Sequence, residues 1–205
     1  MHHARSGHSA ALREGELPTL RGVNVILRWL TADDLDALHD TFSDPEVARY
    51  LAVPRHASRA DTERYLASIH EGFRTSSLYQ WGIEHAGRIV GTCTLGGLDW
   101  ENRRAEIGFV LARSAWGQGL MPDALTALID HAFDDLKLHR IEADVDPRNG
   151  ASLRLLERLG FRQEGYLRER YLKDGEIQDS VFFGLLRSDD RPGRSSGSRE
   201  GGEST

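Results

Sequence analysis

A strand that runs into a glycine-rich turn and straight on into an amphipathic helix constrains this chain more than any other feature. Arg104–Leu111 has a β pattern, and Ser114–Leu120 carries Gly117 and Gly119. Pro122 then opens a helix whose apolar face is Leu125, Leu128, Ile129 and Phe133. Ile141–Val145 follows as a short strand. Strand, helix and strand in this order predict a parallel pair with a right-handed crossover, so the helix must cover a sheet.

The flanking segments extend that sheet. Val23–Trp29 reads as a first strand. Thr31 and Asp34 form a capping-box pattern ahead of Leu35, Leu38 and Phe42, and Ser58 with Asp61 opens a second helix carrying Tyr65, Leu66, Ile69 and Phe73. Tyr79–Glu84 and Arg88–Leu95 flank a turn, His85-Ala-Gly-Arg, and predict a hairpin. Asn149 caps a helix with Leu153, Leu155, Leu156 and Leu159, which Gly160 ends. Phe161–Leu172 and Ile177–Leu186 flank Lys-Asp-Gly-Glu and predict a closing hairpin. The sum is an α/β (α+β) single domain. It has a mostly antiparallel sheet of about seven strands and about four helices on its two faces.

With 205 residues there is room for one domain of ordinary size. Residues 1–17 are expected to be a flexible segment, 18–187 the domain, and 188–205 a disordered tail, since SDDRPGRSSGSREGGEST has no apolar residue to offset ordering entropy. The first 17 residues lack an apolar stretch and predict no secretory signal. No run of about 20 apolar residues predicts a membrane span. One cysteine, Cys93, allows no internal disulfide, and the cytoplasm is the expected compartment. A net charge of −6 argues against a basic nucleic-acid binder. Nine histidines show no metal-ligand spacing, so no metal is expected.

Glycines in such a turn let the backbone approach a ligand, and the free N–H groups of the helix start favour a phosphate. The pattern is neither a Rossmann fingerprint, which needs a third glycine at Pro122, nor a Walker loop. It resembles the GNAT superfamily of acyl-CoA-dependent N-acetyltransferases, in its RimJ/RimL-type branch. The matching residues are Ala105-Glu-Ile-Gly-Phe-Val-Leu, Trp116-Gly-Gln-Gly-Leu-Met, and Asn149-x-x-Ser152 with Leu159-Gly-Phe161. The resemblance spans about Pro18 to Arg187.

That resemblance implies acetyl-CoA as co-substrate. Its pyrophosphate would lie on Trp116, Gly117, Gln118, Gly119, Leu120 and Met121, and its pantetheine arm along Phe109, Val110 and Leu111. Trp116 and Met121 depart from the family's Gln/Arg and small residue. Many members place a tyrosine acid seven residues after the asparagine; here that position is Leu156, and Ser152 is the substitute. Asn149 would bond the pantetheine amide besides capping its helix. Glu106 is the first choice for general base and Glu169 the runner-up, with a water chain as a third option. The plain alternatives are a first-turn helix serine and a solvent-exposed or salt-bridged strand glutamate. Tyr166 and Tyr171 would line the acceptor site or simply pack. Cys93, inside a strand without a histidine partner, reads as buried filler and not as an acyl carrier.

The acceptor expected first is a protein N-terminal α-amine, because its pKa near 8 leaves a base roughly ten- to hundred-fold less work than a lysine near 10.4. A small amine (polyamine, arylalkylamine or aminoglycoside) is the alternative. A non-catalytic acyl-CoA-binding regulatory module is the other. The segment Thr31–Glu46 has six acidic residues and no Lys or Arg. It would either steer a cationic acceptor or form a solvated helix face. Family members are often homodimers, and no residue in the chain fixes the oligomeric state.

Overall fold

The computed structural model describes residues 15–51, 53–173 and 175–191. Eight strands form one sheet: β1 (Leu20–Arg21), β2 (Ile26–Arg28), β3 (Leu78–His85), β4 (Arg88–Asp99), β5 (Arg104–Leu111), β6 (Arg140–Val145), β7 (Arg162–Lys173) and β8 (Glu176–Leu186). Their order is β1-β2-β3-β4-β5-β6-β8-β7. Every neighbouring pair is antiparallel except β5–β6, which the crossover helix makes parallel.

Five α-helices cover the sheet: α1 (Leu35–Ser43), α2 (Pro45–Ala48), α3 (Arg59–Arg74), α4 (Leu120–Asp134) and α5 (Gly150–Arg158). Leu38 and Phe42 of α1, Val47 of α2 and Ile69 of α3 pack with Ile89 and Val110 on one face. Leu125, Leu128, Ile129 and Phe133 of α4 pack with Trp81, Cys93, Leu95 and Ile107 on the other, joined by Leu156 of α5. Strand alternation explains the split, since Ile107 and Val110 point to opposite faces of β5.

The expected α/β architecture holds, with one strand and one helix more than the sequence pattern suggests. The expected first strand, Val23–Trp29, shrinks to Ile26–Arg28, the second arm of a small hairpin whose first arm is Leu20–Arg21. Leu20 pairs with Leu27 and Arg21 with Ile26, while Val23 stands 90% exposed in the turn. Its N–H and that of Asn24 donate to the Asp123 carboxylate of α4, at 2.8 and 2.6 Å. The added helix, α2, is a single turn that Asp44 caps by accepting from the Glu46 N–H at 2.9 Å, with Pro45 in its first turn.

The other local signals act as their chemistry predicts. Ser58 N–H donates to Asp61 at 2.8 Å, closing the capping box of α3. At the end of α5, Phe161 N–H reaches the Leu156 carbonyl and Gly160 N–H that of Glu157, with Gly160 at φ +93°, which is a Schellman stop. Thr31 and Asp34 do cap, yet the turn they open is a short 3-10 helix, Ala32–Asp34, ahead of α1. Asp174 of the closing hairpin, residues 1–14 and residues 192–205 lie outside the described residues. Leu17 is buried in the core, and Arg191 pairs with Asp130 at 2.9 Å while lying over the Phe133 ring. No helix among the described residues is long and apolar enough to cross a membrane.

Gly91 sets how closely β4 approaches β5. A Cβ there would stand 2.3 Å from the Val110 carbonyl oxygen and 3.0 Å from Leu111 Cα. Both are backbone atoms that cannot rotate aside. Gly91→Ala is therefore expected to cost about 1–3 kcal/mol, by the scale of overpacking. Thermal unfolding checks this: Tm should fall by about 2–4 °C per kcal/mol for a domain of this size. An unchanged Tm would contradict the tight β4–β5 approach.

Candidate active site

The site begins where β5 and β6 part. Arg104, Ala105 and Glu106 pair with Arg140, Ile141 and Glu142, and the parallel register ends there. β5 continues with only β4 beside it, and β6 with only β8. From Ile107 to Leu111, one edge of β5 thus has no strand partner. Alternate backbone N–H and C=O groups of that edge face an open wedge. Such an edge can take an extended amide-bearing chain through main-chain hydrogen bonds.

The wedge holds two connected chambers. The first, about 420 Å³, is lined by Phe109, Val110, Leu111, Trp116, Gly117 and Met121. The second, about 380 Å³, is lined by Glu106, Gly108, Asp144, Asp146, Tyr171 and Asp179. Tyr50, Leu51, Phe109, Asn149 and Ser152 belong to both. Asn149 and Ser152 stand there because α5 starts just past the end of β6.

The glycine-rich turn borders the first chamber. Gly117 and Gly119 have φ of +74° and +73°, the left-handed region that costs glycine no Cβ strain. Gly119 precedes α4 without a side-chain cap, so the first N–H groups of that helix are left for a ligand. Trp116 and Gln118 have other work. The Trp116 indole N–H donates to the Leu111 carbonyl at 2.8 Å, tying the turn to the end of β5. The Gln118 amide donates to the Ser114 carbonyl at 2.9 Å. Gln118 lines neither chamber. Leu120 is buried in the core, so it can offer a ligand its backbone only.

Asn149 Oδ1 accepts the Ser152 backbone N–H at 3.2 Å, which caps α5. Among the described residues the Ser152 hydroxyl has no hydrogen-bond partner, and it borders both chambers. Leu156, one turn later, is fully buried. A polar group is thus available at Ser152, while the Leu156 position serves the core.

The carboxylates of the second chamber divide sharply. Asp144 accepts from the Tyr171 hydroxyl at 2.8 Å and from Ser180, with Arg170 at 3.7 Å. Asp146 is engaged by Arg148 at 2.7 Å. Asp179 accepts from Tyr166 and from the Glu169 N–H. Glu106 alone of the four has no hydrogen-bond or ion-pair partner among the described residues. Although it reaches solvent, the surrounding walls desolvate it and raise its carboxyl above the ordinary carboxylate range; Asp144 and Glu142 add to the rise, and Arg170 opposes it. Burial pushes the Tyr171 hydroxyl up to about 12, helped by its bond to Asp144, so it stays a protonated donor at neutral pH.

Several sequence candidates lie elsewhere. Glu169 is exposed on a bulge of β7, at φ +55°, and lines neither chamber. Cys93 is fully buried on β4, and burial pushes its thiol up, as befits packing. In the acidic segment, Asp34 is held by Arg28 at 2.8 Å, Asp36 by Arg59 and Asp44 by Arg113 at 3.2 Å. Asp33, Asp40 and Glu46 have no ion-pair partner among the described residues, and Glu46 borders the first chamber. Tyr50, Leu51, Asp144 and Asp179 are site residues that sequence reasoning missed. The Ile-Glu-Ala-Asp-Val alternation of β6 did mark Asp144 as polar-facing, without saying that its face opens into a cleft.

Comparison with known proteins agrees with this geometry. Residues 24–162 match the acetyltransferase (GNAT) domain model. The chain is 34% identical over 173 residues to an uncharacterized N-acetyltransferase, p20, of Bacillus licheniformis, covering 83% of this chain and 97% of that one. It is 32% identical over 142 residues to the [ribosomal protein uS5]-alanine N-acetyltransferase of Escherichia coli, covering 68% and 73%. The structure of Mycobacterium smegmatis RimJ in complex with CoA-disulfide superposes with a TM-score of 0.75 at 27% identity, over 83% of this chain and 86% of that one. The wedge, the glycine turn and these matches together identify an acetyl-CoA-dependent N-acetyltransferase with RimJ/RimL-type relatives, and the chain belongs to the GNAT acetyltransferase family.

Proposed function

We propose that this acetyltransferase modifies a protein N-terminal α-amine, through a ternary complex in which acetyl-CoA fills the first chamber and the acceptor amine enters the second. What supports the assignment is that Glu106 and Ser152 line one chamber, the first unpartnered and raised in pKa, the second with a free hydroxyl. The relative named for the alanine of ribosomal protein uS5 supports the α-amine class.

Acetyl-CoA supplies the thioester-bound acetyl group. The unpaired edge of β5 at Phe109, Val110 and Leu111 holds the pantetheine arm and directs an N–H at the developing oxyanion. The first turn of α4 and Gly117–Met121 hold the pyrophosphate through backbone N–H groups. Asn149 bonds the pantetheine amide through what its capping bond leaves free. Glu106 takes a proton from the incoming ammonium, which frees the nitrogen lone pair to form the amide bond. Ser152 donates a hydrogen bond to the thiolate as the C–S bond breaks. The released thiolate is protonated to CoA, and one proton leaves in net. A polyamine is the second reading of the acceptor, favoured by the four carboxylates that line the acceptor chamber.

Two variants are tested in a thiol-release assay with acetyl-CoA and short peptides, and a third by calorimetry. Glu106→Gln should lower kcat about 10²–10⁴-fold. It should also abolish the acid limb of the kcat–pH profile, which in the wild type lies above the ordinary carboxylate range because the ionised base is required. An acid limb that survives in Glu106→Gln assigns the base elsewhere. Ser152→Ala keeps the backbone N–H that Asn149 caps, so acetyl-CoA should bind as before while kcat falls; an unchanged kcat removes Ser152 from the mechanism. Trp116→Phe loses one hydrogen bond from the turn and should raise the acetyl-CoA Kd about three- to tenfold by calorimetry. Turnover of polyamines without turnover of peptides would overturn the α-amine assignment.

A further inference from the structure

The acceptor chamber adjoins a third cleft of opposite charge. This outer cleft, about 510 Å³, is lined by Arg49, Arg55, Arg148 and Lys173 against one acid, Glu176. The inner chamber has the reverse balance, Glu106, Asp144, Asp146 and Asp179 against Lys173. Tyr50, Lys173 and Gln178 line both, so the two clefts adjoin.

Not all of the outer cations are available. Arg148 is neutralised by Asp146 at 2.7 Å and Glu176 at 3.0 Å. Lys173 donates to the carbonyls of Ala48 and Arg49 at 2.9 and 3.0 Å, pinning the closing hairpin to the end of α2. Arg49 lies over the Tyr50 ring, 5.2 Å from its centroid. Neither Arg49 nor Arg55 has a carboxylate partner among the described residues. Two guanidinium groups therefore stand at the mouth of a channel whose floor is acidic, each able to hold a carboxylate.

A ligand that satisfies both ends is dipolar along its length. Its ammonium is drawn to the inner carboxylates, and its own carboxylate falls at the mouth. An extended peptide advances about 3.3 Å per residue, so in adjoining clefts that carboxylate belongs to one of the next few side chains. A polyamine satisfies the inner chamber only and meets like charge at the mouth. We propose that the acceptor is a chain end whose α-amine is followed within a few residues by an acidic side chain, held at the mouth by Arg55 and Arg49. This specificity rests on the N-terminal reading above.

The test compares two acceptor peptides that share their first residue and differ in Glu or Gln at positions two to four. The readout is the ratio of their kcat/KM values, which cancels general damage to a variant. Wild type should favour the Glu peptide by about two- to fivefold, the scale of an exposed ion pair. Arg55→Gln should bring the ratio towards one. Arg55→Glu should invert it, and thermal melting confirms that these exposed substitutions leave the fold intact. Raised ionic strength should compress the wild-type ratio. A wild-type ratio of one, or a ratio that survives both substitutions, overturns the specificity while turnover of either peptide sustains N-terminal acetylation. Turnover of a polyamine and of neither peptide overturns both.

Discussion

The parting of β5 from β6 is the constraint on which the rest of the molecule depends. Three residue pairs join them, and the last sets Glu106 opposite Glu142. Like charges face to face disfavour further pairing. Glu142 is neutralised by Arg104 and Arg140, each at 2.8 Å, whereas Glu106 stays uncompensated at the apex. Beyond it, each strand keeps one neighbour, so the sheet stays whole while a wedge opens. The backbone groups that face the wedge must find partners in water or in a ligand. A fold that normally satisfies its own edges here keeps one edge available.

The chemistry follows from what surrounds that wedge. α4 begins after the glycine turn that follows β5, and its start has no side-chain cap. α5 begins just past β6, which brings Ser152 to the boundary between the chambers. The β7–β8 hairpin supplies the far wall through Tyr171 and Asp179, and Lys173 joins it to α2. Most acids of the second chamber are tied to named donors. Glu106 is the exception, and its raised pKa and lack of a partner come from the same isolation.

Much of this was legible in the chain. The strand-turn-helix, the two capping boxes, the Asn149 cap and the Gly160 stop are local signals, set within a few residues, and they act where they stand. Glu106 was singled out by its place on the strand and Ser152 by the family resemblance, and both line the second chamber. What stayed hidden depends on tertiary placement. Tyr50 and Leu51 have no local mark, because their role comes from where the α2–α3 connection crosses the wedge. Asp144 was visible as polar, but only the β5–β6 separation turns its face into a cavity. Of the Thr31–Glu46 acids, Asp34, Asp36 and Asp44 are paired with Arg28, Arg59 and Arg113, partners that lie outside that segment and carry no local mark in it. Trp116 looked like a departure from a binding motif, and only the folded turn reveals its bond to Leu111.

We infer that the open edge of β5 is the seat of the acetyl donor. Amide hydrogen exchange with and without acetyl-CoA, resolved along Ile107–Leu111 and Gly117–Met121, tests it most directly. Alternate amides of β5 and the first amides of α4 should become protected on binding, while the β4-facing amides of β5 stay as they were. Tight binding that leaves both segments unchanged would contradict it and would place the donor elsewhere on the molecule.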